Sequence, residues 1–169
     1  MPAPAVQFRF HTSSKFKHRS ELQTAALGAV LATPKSGIVI APCGSGKTAV
    51  MIEAAMLLAA KSPTASKHQR VLILCFESQG VLQTADALRE HTTLQPHHVC
   101  VQTGRLKDVP HANFCFMITT YAMFSSLNEV RSERSKSVRN FVLNTQWDLV
   151  VCDEVHHACA PTYRPFLEG

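Results

Sequence analysis

The stretch GIVIAPCGSGKTAVMIEAAMLLAA, residues 37–60, decides the fold. Gly37–Ala41 is a short β-branched run that reads as a buried strand, and Lys47–Ala60 has the Ala and Leu content of a helix. Between them lies Ala41-Pro42-Cys43-Gly44-Ser45-Gly46-Lys47-Thr48, a glycine loop set where a phosphate-binding loop belongs. Gly44 and Gly46 let backbone N–H groups turn inward around phosphate oxygens, and the following helix presents its positive dipole end to the same anion. Lys47 reaches the β- and γ-phosphates as a flexible point charge, and the Thr48 hydroxyl is placed for a magnesium ion bridging them. The strict pattern begins with Gly where this chain has Ala41, a difference of one methyl group. A flexible Gly/Ser turn before an Ala-rich helix is the competing reading; the strand-to-helix placement favours nucleotide.

Outward from this loop, four more β-branched runs read as buried strands: Val71–Phe76, His98–Gln102, Cys115–Thr119 and Asp148–Asp153. Helix-like stretches alternate with them at Leu22–Leu31, Ser78–Glu90 and Arg134–Leu143. Strands that are apolar at every position, separated by helix-length segments, imply a mostly parallel sheet with helices on both faces. The predicted class is therefore α/β. Loops are marked by residues 61–69 (KSPTASKHQ), by Pro96-His97-His98 and by Val109-Pro110-His111. The mixed charges of Asn128–Arg139 read as a solvated helix face rather than a nucleic-acid patch.

At 169 residues the chain has the size of one domain, which excludes a two-lobed motor. Hydrophobic residues at 46% and charged residues at 17% exclude a disordered tail. The formal charge of +5 permits an acidic partner without identifying one. Part of that excess is local: Arg9, Lys15, Lys17 and Arg19 precede the first acid, so residues 1–17 read as a basic leader or a nucleic-acid-facing arm, with an organelle presequence as a third option. No run approaches the roughly 18 apolar residues of a membrane span, and no secretory signal opens the chain, so an intracellular protein without membrane partners is expected. The six cysteines lack CxxC spacing, and four lie in the strand-like runs, as reduced core thiols do.

The second chemical element stands far along the chain, where Leu149-Val150-Val151-Cys152 delivers Asp153-Glu154-Val155-His156 to a strand's carboxyl end. Ligands bind at that edge of open α/β sheets. Asp153 is the expected magnesium partner, and Glu154 the group that orients the attacking water. Alone, two acids at a strand end are more often a turn or helix cap, but beside the loop at Lys47 they complete an NTPase half-site. Cys152, His156, His157 and Cys159 fit no structural zinc spacing, and His156 is expected to sense the nucleotide state instead.

The loop PCGSGKT, the stretch Ile118-Thr119-Thr120-Tyr121-Ala122-Met123, and Thr145-Gln146-Trp147-Asp148-Leu149 leading into the Asp-Glu-Val-His box together resemble the XPB helicases of superfamily two. That family comprises the DNA-translocating ATPases of the transcription and repair factor TFIIH. The resemblance implies a first RecA-like, P-loop NTPase lobe over residues 18–169, incomplete at its C-terminus, before the Ser/Thr-Ala-Thr motif and the second lobe with its arginine fingers. It implies ATP and Mg²⁺ as cofactors, with Pro42, Cys43, Gly44, Ser45, Gly46, Lys47, Thr48, Gln23 and His156 on the nucleotide. Lys47, Asp153 and Glu154 take the catalytic places, and Thr48 and Asp153 hold the metal. Gln23 stands where the family contacts adenine, and Thr119, Thr120 and Gln83 where it holds the tracked DNA backbone.

The chain departs from the family pattern at Arg19, one position early, at Phe76 and Glu77, where small polar residues face DNA, and at Thr84, where the family has Trp. The implied function is the ATP-binding lobe of a nuclear DNA helicase or translocase acting in nucleotide excision repair and transcription initiation with TFIIH subunits. Without arginine fingers, worth about 10³ to 10⁵ in rate, this segment alone is expected to turn over ATP poorly or not at all. The alternative is a catalytically inactive truncated paralogue that binds nucleotide or TFIIH-type partners; a small phosphotransferase is a third reading.

Overall fold

Four of the five expected strands form one sheet. They are β1 (Val71–Cys75), β2 (Val99–Gln102), β3 (Phe116–Thr120) and β4 (Leu149–Cys152), in the order β2-β3-β1-β4. Every pairing is parallel: Val71 stands opposite Phe116 on one side and Leu149 on the other, and Val99 stands opposite Phe116. The computed structural model describes residues 20–32, 38–42, 44–59, 70–105, 110, 114–123 and 133–158. The basic segment 1–17, the loop 61–69, Cys43 and Cys159 fall outside the described residues.

The helices are α1 (Glu21–Ala32), α2 (Lys47–Ala59), α3 (Ser78–His91), α4 (Glu133–Asn144) and the short α5 (Val155–Ala158). Single turns of 3₁₀ helix occupy Pro96–His98, expected as loop, and Tyr121–Met123. β1, β2 and β3 are buried at every position because both faces of the sheet are covered. Val71, Ile73 and Cys75 share one core with Ile52 and Met56 of α2 and Val81 and Leu88 of α3. Leu72, Leu74 and Met117, turned the other way by the two-residue strand period, pack with Tyr121, Phe114 and Val142 of α4. Each such side chain contributes about 1.5–3 kcal/mol on burial, so the two half-cores fix the strand order.

Helix α1 joins through α2, where Leu27 meets Val50 and Ala54. It starts at a reciprocal cap: Gln23 N donates to Ser20 Oγ at 3.2 Å, and Ser20 N to Gln23 Oε1 at 3.3 Å. Helix α4 is closed by Trp147 Nε1, which donates to Val142 O at 2.9 Å. The entries to β1 and β4 are stitched where Arg70 N donates to Asp148 Oδ2 at 2.8 Å.

The fifth expected strand is corrected. Residues 38–42 form no strand, and Ile38 and Ile40 are 71% and 92% exposed rather than buried. The run has strand composition, but a strand needs a neighbour, and the cleft between residues 38–41 and β4 leaves it none among the described residues. Cys75, Cys100, Cys115 and Cys152 are free thiols. Burial pushes Cys75 up to about 12 and Cys115 up to about 11, so both stay protonated and unreactive.

Candidate nucleotide site

Parallel pairing brings the C-terminal ends of all four strands to one edge, and Asp153 follows β4 there. Residue 42 leads into the glycine loop and α2 begins at Lys47, so the loop feeds directly into a helix N-terminus. Gly44 and Gly46 have φ of 76° and 78°, a region that a residue with a Cβ enters only under strain. The loop is closed by Ser45 N donating to Pro42 O at 3.3 Å and by Ala49 N donating to Gly46 O at 3.1 Å.

One cleft of about 740 Å³ gathers Gln23, Ser45, Lys47, Asp153, Glu154 and His156. Lys47 Nζ donates to Ala41 O at 3.0 Å and Pro42 O at 3.3 Å. Backbone carbonyls thereby occupy the donors that the sequence assigns to phosphate oxygens. Ser45 Oγ is buried without a hydrogen-bond partner, an orphan hydroxyl inside the loop. Thr48, in the first turn of α2, is exposed.

Burial raises the Asp153 pKa first, and the neighbouring Glu154 charge raises it further; the Glu154 N–H and Lys47 pull it back. Glu154 N donates to Asp153 Oδ1 at 3.1 Å. Glu154 itself has φ 51°, the one described non-glycine residue in the left-handed region. Its Oε2 lies 3.4 Å from His156 Nδ1, so the histidine reaches the site through the glutamate.

Gln23 is used in a way the sequence did not foretell. Its Nε2 donates to Ser45 O at 2.9 Å, buttressing the loop, and a Cβ on Gly46 would collide with the same amide. The φ of Gly46 is the reason for glycine there, since a Cβ would displace only the mobile end of the Gln23 side chain and with it this hydrogen bond. The Ser20-x-x-Gln23 spacing was the available signal, since it marks a helix start whose glutamine turns back.

Three residues assigned to DNA do not line this cleft. Gln83 is exposed on α3. Thr119 and Thr120 are 0% and 5% exposed at the end of β3, and Thr119 Oγ1 is buried without a partner, so that hydroxyl does not reach the surface. Of the departures, Phe76 and Glu77 are exposed, while Thr84 is buried with Oγ1 3.9 Å from Cys75 Sγ. Among the described residues no helix is long and apolar enough to cross a membrane.

A parallel sheet with helices on both faces, a glycine loop entering α2 and a carboxylate pair after β4 define a lobe of RecA-like fold. The family model for the Type III restriction enzyme, res subunit, matches residues 14–168, and the chain belongs to that family. It is 32% identical over 77% of its length to the helicase/translocase subunit XPB/SSL2 of the general transcription and DNA repair factor IIH from Saccharomyces cerevisiae. It is 32% identical over 79% to the XPB subunit of Encephalitozoon cuniculi and 28% identical over 79% to that of Drosophila melanogaster. The chain spans only 14%, 18% and 15% of these three relatives.

Among solved structures, the fold matches the bacteriophage T4 UvsW helicase with a TM-score of 0.58 and 11% identity, over 92% of this chain and 60% of that one. It also matches a nuclease-deletion mutant of the Type ISP restriction-modification enzyme LlaGI, with a TM-score of 0.57 and 16% identity, over 88% of this chain and 16% of that one. The expected α/β RecA-like lobe is the observed fold, and the XPB-type resemblance holds over about four-fifths of the chain.

Proposed function

We propose that this chain is the ATP-binding lobe of an ATP-dependent DNA helicase or translocase of the XPB type, working in nucleotide excision repair and transcription initiation. The observation that carries the reading is the convergence of Lys47, Ser45, Asp153 and Glu154 on one cleft at the carboxyl edge of the sheet. The residues present fit Mg²⁺·ATP. The loop offers an orphan Ser45 hydroxyl and two glycines with positive φ; Thr48 and the second Asp153 carboxylate oxygen are oxygen donors of the kind magnesium takes. When bound, the ion neutralises phosphate charge.

Lys47 exchanges its carbonyl partners for phosphate oxygens, Asp153 holds the metal's side of the site, and Glu154 orients water for attack and takes its proton. His156, against Glu154, registers which nucleotide is bound. DNA is the proposed track, met through Gln83 on exposed α3, while Thr119 and Thr120, 0% and 5% exposed in the paired strand β3, back that surface rather than touch the track themselves. TFIIH subunits are the proposed partners and the nucleus the proposed compartment, by similarity to XPB.

In a full-length protein carrying a second lobe, Lys47→Ala abolishes DNA-stimulated ATP hydrolysis and unwinding. Unwinding that survives the substitution overturns the reading. Exposed Glu77 and buried Thr84 favour a second one, in which nucleotide or TFIIH-type partners are bound without catalysis. ATPase activity stimulated by DNA in that same protein excludes it.

A further inference from the structure

The residue that ties the end of β3 to the carboxylate pair has no role in the reading so far. Tyr121 follows Thr120 directly and sits in the core formed by Leu72, Leu74, Met117 and Val142. It is 2% exposed, yet its hydroxyl reaches across the sheet edge and donates to Asp153 O at 2.9 Å. Burial keeps the phenol protonated and therefore a donor.

The carbonyl of Asp153 and the N–H of Glu154 belong to one peptide unit. Its oxygen is held by Tyr121, and its N–H by Asp153 Oδ1 at 3.1 Å. One residue earlier, Asp153 N donates to Leu74 O at 2.8 Å, so the chain leaves β4 from a fixed point. A peptide plane held at both ends sets the rotation about the bond that follows, where Glu154 has its unfavourable φ of 51°. The internal bond to Oδ1 also decides which Asp153 oxygen remains for a ligand. Both carboxylates are therefore aimed from a single peptide, and the phenol anchors that peptide from outside the turn.

We propose that Tyr121 is a positioning residue of the nucleotide site, fixing the Asp153–Glu154 peptide so that Asp153 faces the metal and Glu154 the attacking water. The proposal rests on the nucleotide reading above. Because Tyr121 is seated at the end of β3, a displacement of that strand end would reach the carboxylates through one hydrogen bond.

The test is binding of a fluorescent ATP analogue to the 169-residue chain in Mg²⁺ and in EDTA, for wild type and Tyr121→Phe. Wild type binds more tightly in Mg²⁺. Tyr121→Phe, which leaves the half-buried Asp153 carbonyl without its donor, loses about five- to tenfold of that gain. Its affinity in EDTA, carried by the glycine loop and Lys47, stays at the wild-type level; general loosening would lower both. A folded Tyr121→Phe protein with the full Mg²⁺ gain overturns the inference and leaves the nucleotide reading standing. Wild type that binds no nucleotide overturns both. Amide exchange on wild type gives a measurement that does not depend on the variant folding: the Glu154 N–H is protected, and exchange at the rate of free chain overturns the inference.

Discussion

Asp153 shows at the scale of one residue how a site is kept at a cost in stability. Its carboxyl keeps a proton to higher pH in the folded protein than in the unfolded chain, because burial and the Glu154 charge disfavour the anion. The folded state therefore binds more protons across the window from the ordinary carboxylate pKa up to the raised one. Stability falls as pH rises through that window and stays lower above it. Asp153→Asn removes the charge at nearly constant shape. It is expected to raise Tm by about 1–3 °C at neutral pH, with the difference closing as pH drops below the carboxylate range. The same variant loses the Mg²⁺-dependent gain in nucleotide affinity. Paired melting curves at neutral and acid pH, with binding assays beside them, check both signs. Equal Tm at neutral pH would mean that the carboxylate carries no penalty in the fold.

Helix α3 carries one of the departures from the pattern that the XPB-type resemblance implies. Thr84 is 2% exposed, facing Cys75 on β1, and Gln83 beside it is exposed. The resemblance puts a Trp at position 84, and no space for an indole exists against a side chain 3.9 Å away. Thr84→Trp is expected to destabilise the protein by about 1–3 kcal/mol through overpacking, read from urea unfolding at an unchanged m-value. A neutral result would mean that α3 slides on the sheet to make room.

The same element shows what sequence pattern carries. The boundaries of α1 to α4 follow the expected ranges closely because their neighbours are punctuated, and β1 to β4 are legible because each is apolar at every position. Lys47 and Asp153 are legible for a related reason, as each is defined by the strand end or helix start that presents it. Tyr121 and Asp153 stand 32 residues apart, and no periodicity links a phenol to the carbonyl it will hold. Gln23 was readable as a family position but not as the buttress of Ser45, because that contact joins two elements whose packing only the fold decides.

At the scale of the molecule, the misread run Ile38-Val39-Ile40 and the outer face of β4 pose one problem. Ile38 and Ile40 are 71% and 92% exposed, Val150 on β4 is 40% exposed, and all three line the apolar side of the cleft that holds Lys47 and Asp153. β4 is hydrogen-bonded to β1 alone among the described strands, which leaves its other edge open. The strand composition of residues 38–40 was read correctly; strand formation is a property of a pair, and the pair is absent across the cleft. An open parallel edge beside exposed isoleucines favours association between copies, and a charge of +5 opposes it by repulsion. Association is therefore expected to strengthen with added salt, which screens the repulsion and leaves the apolar contact. Ile40→Lys places a cation beside that edge at an already exposed position. It is expected to lower self-association at every salt concentration in light scattering, while unfolding free energy stays within about 0.5 kcal/mol of wild type. Undiminished association in the variant would place the sticky surface elsewhere than the β4 edge.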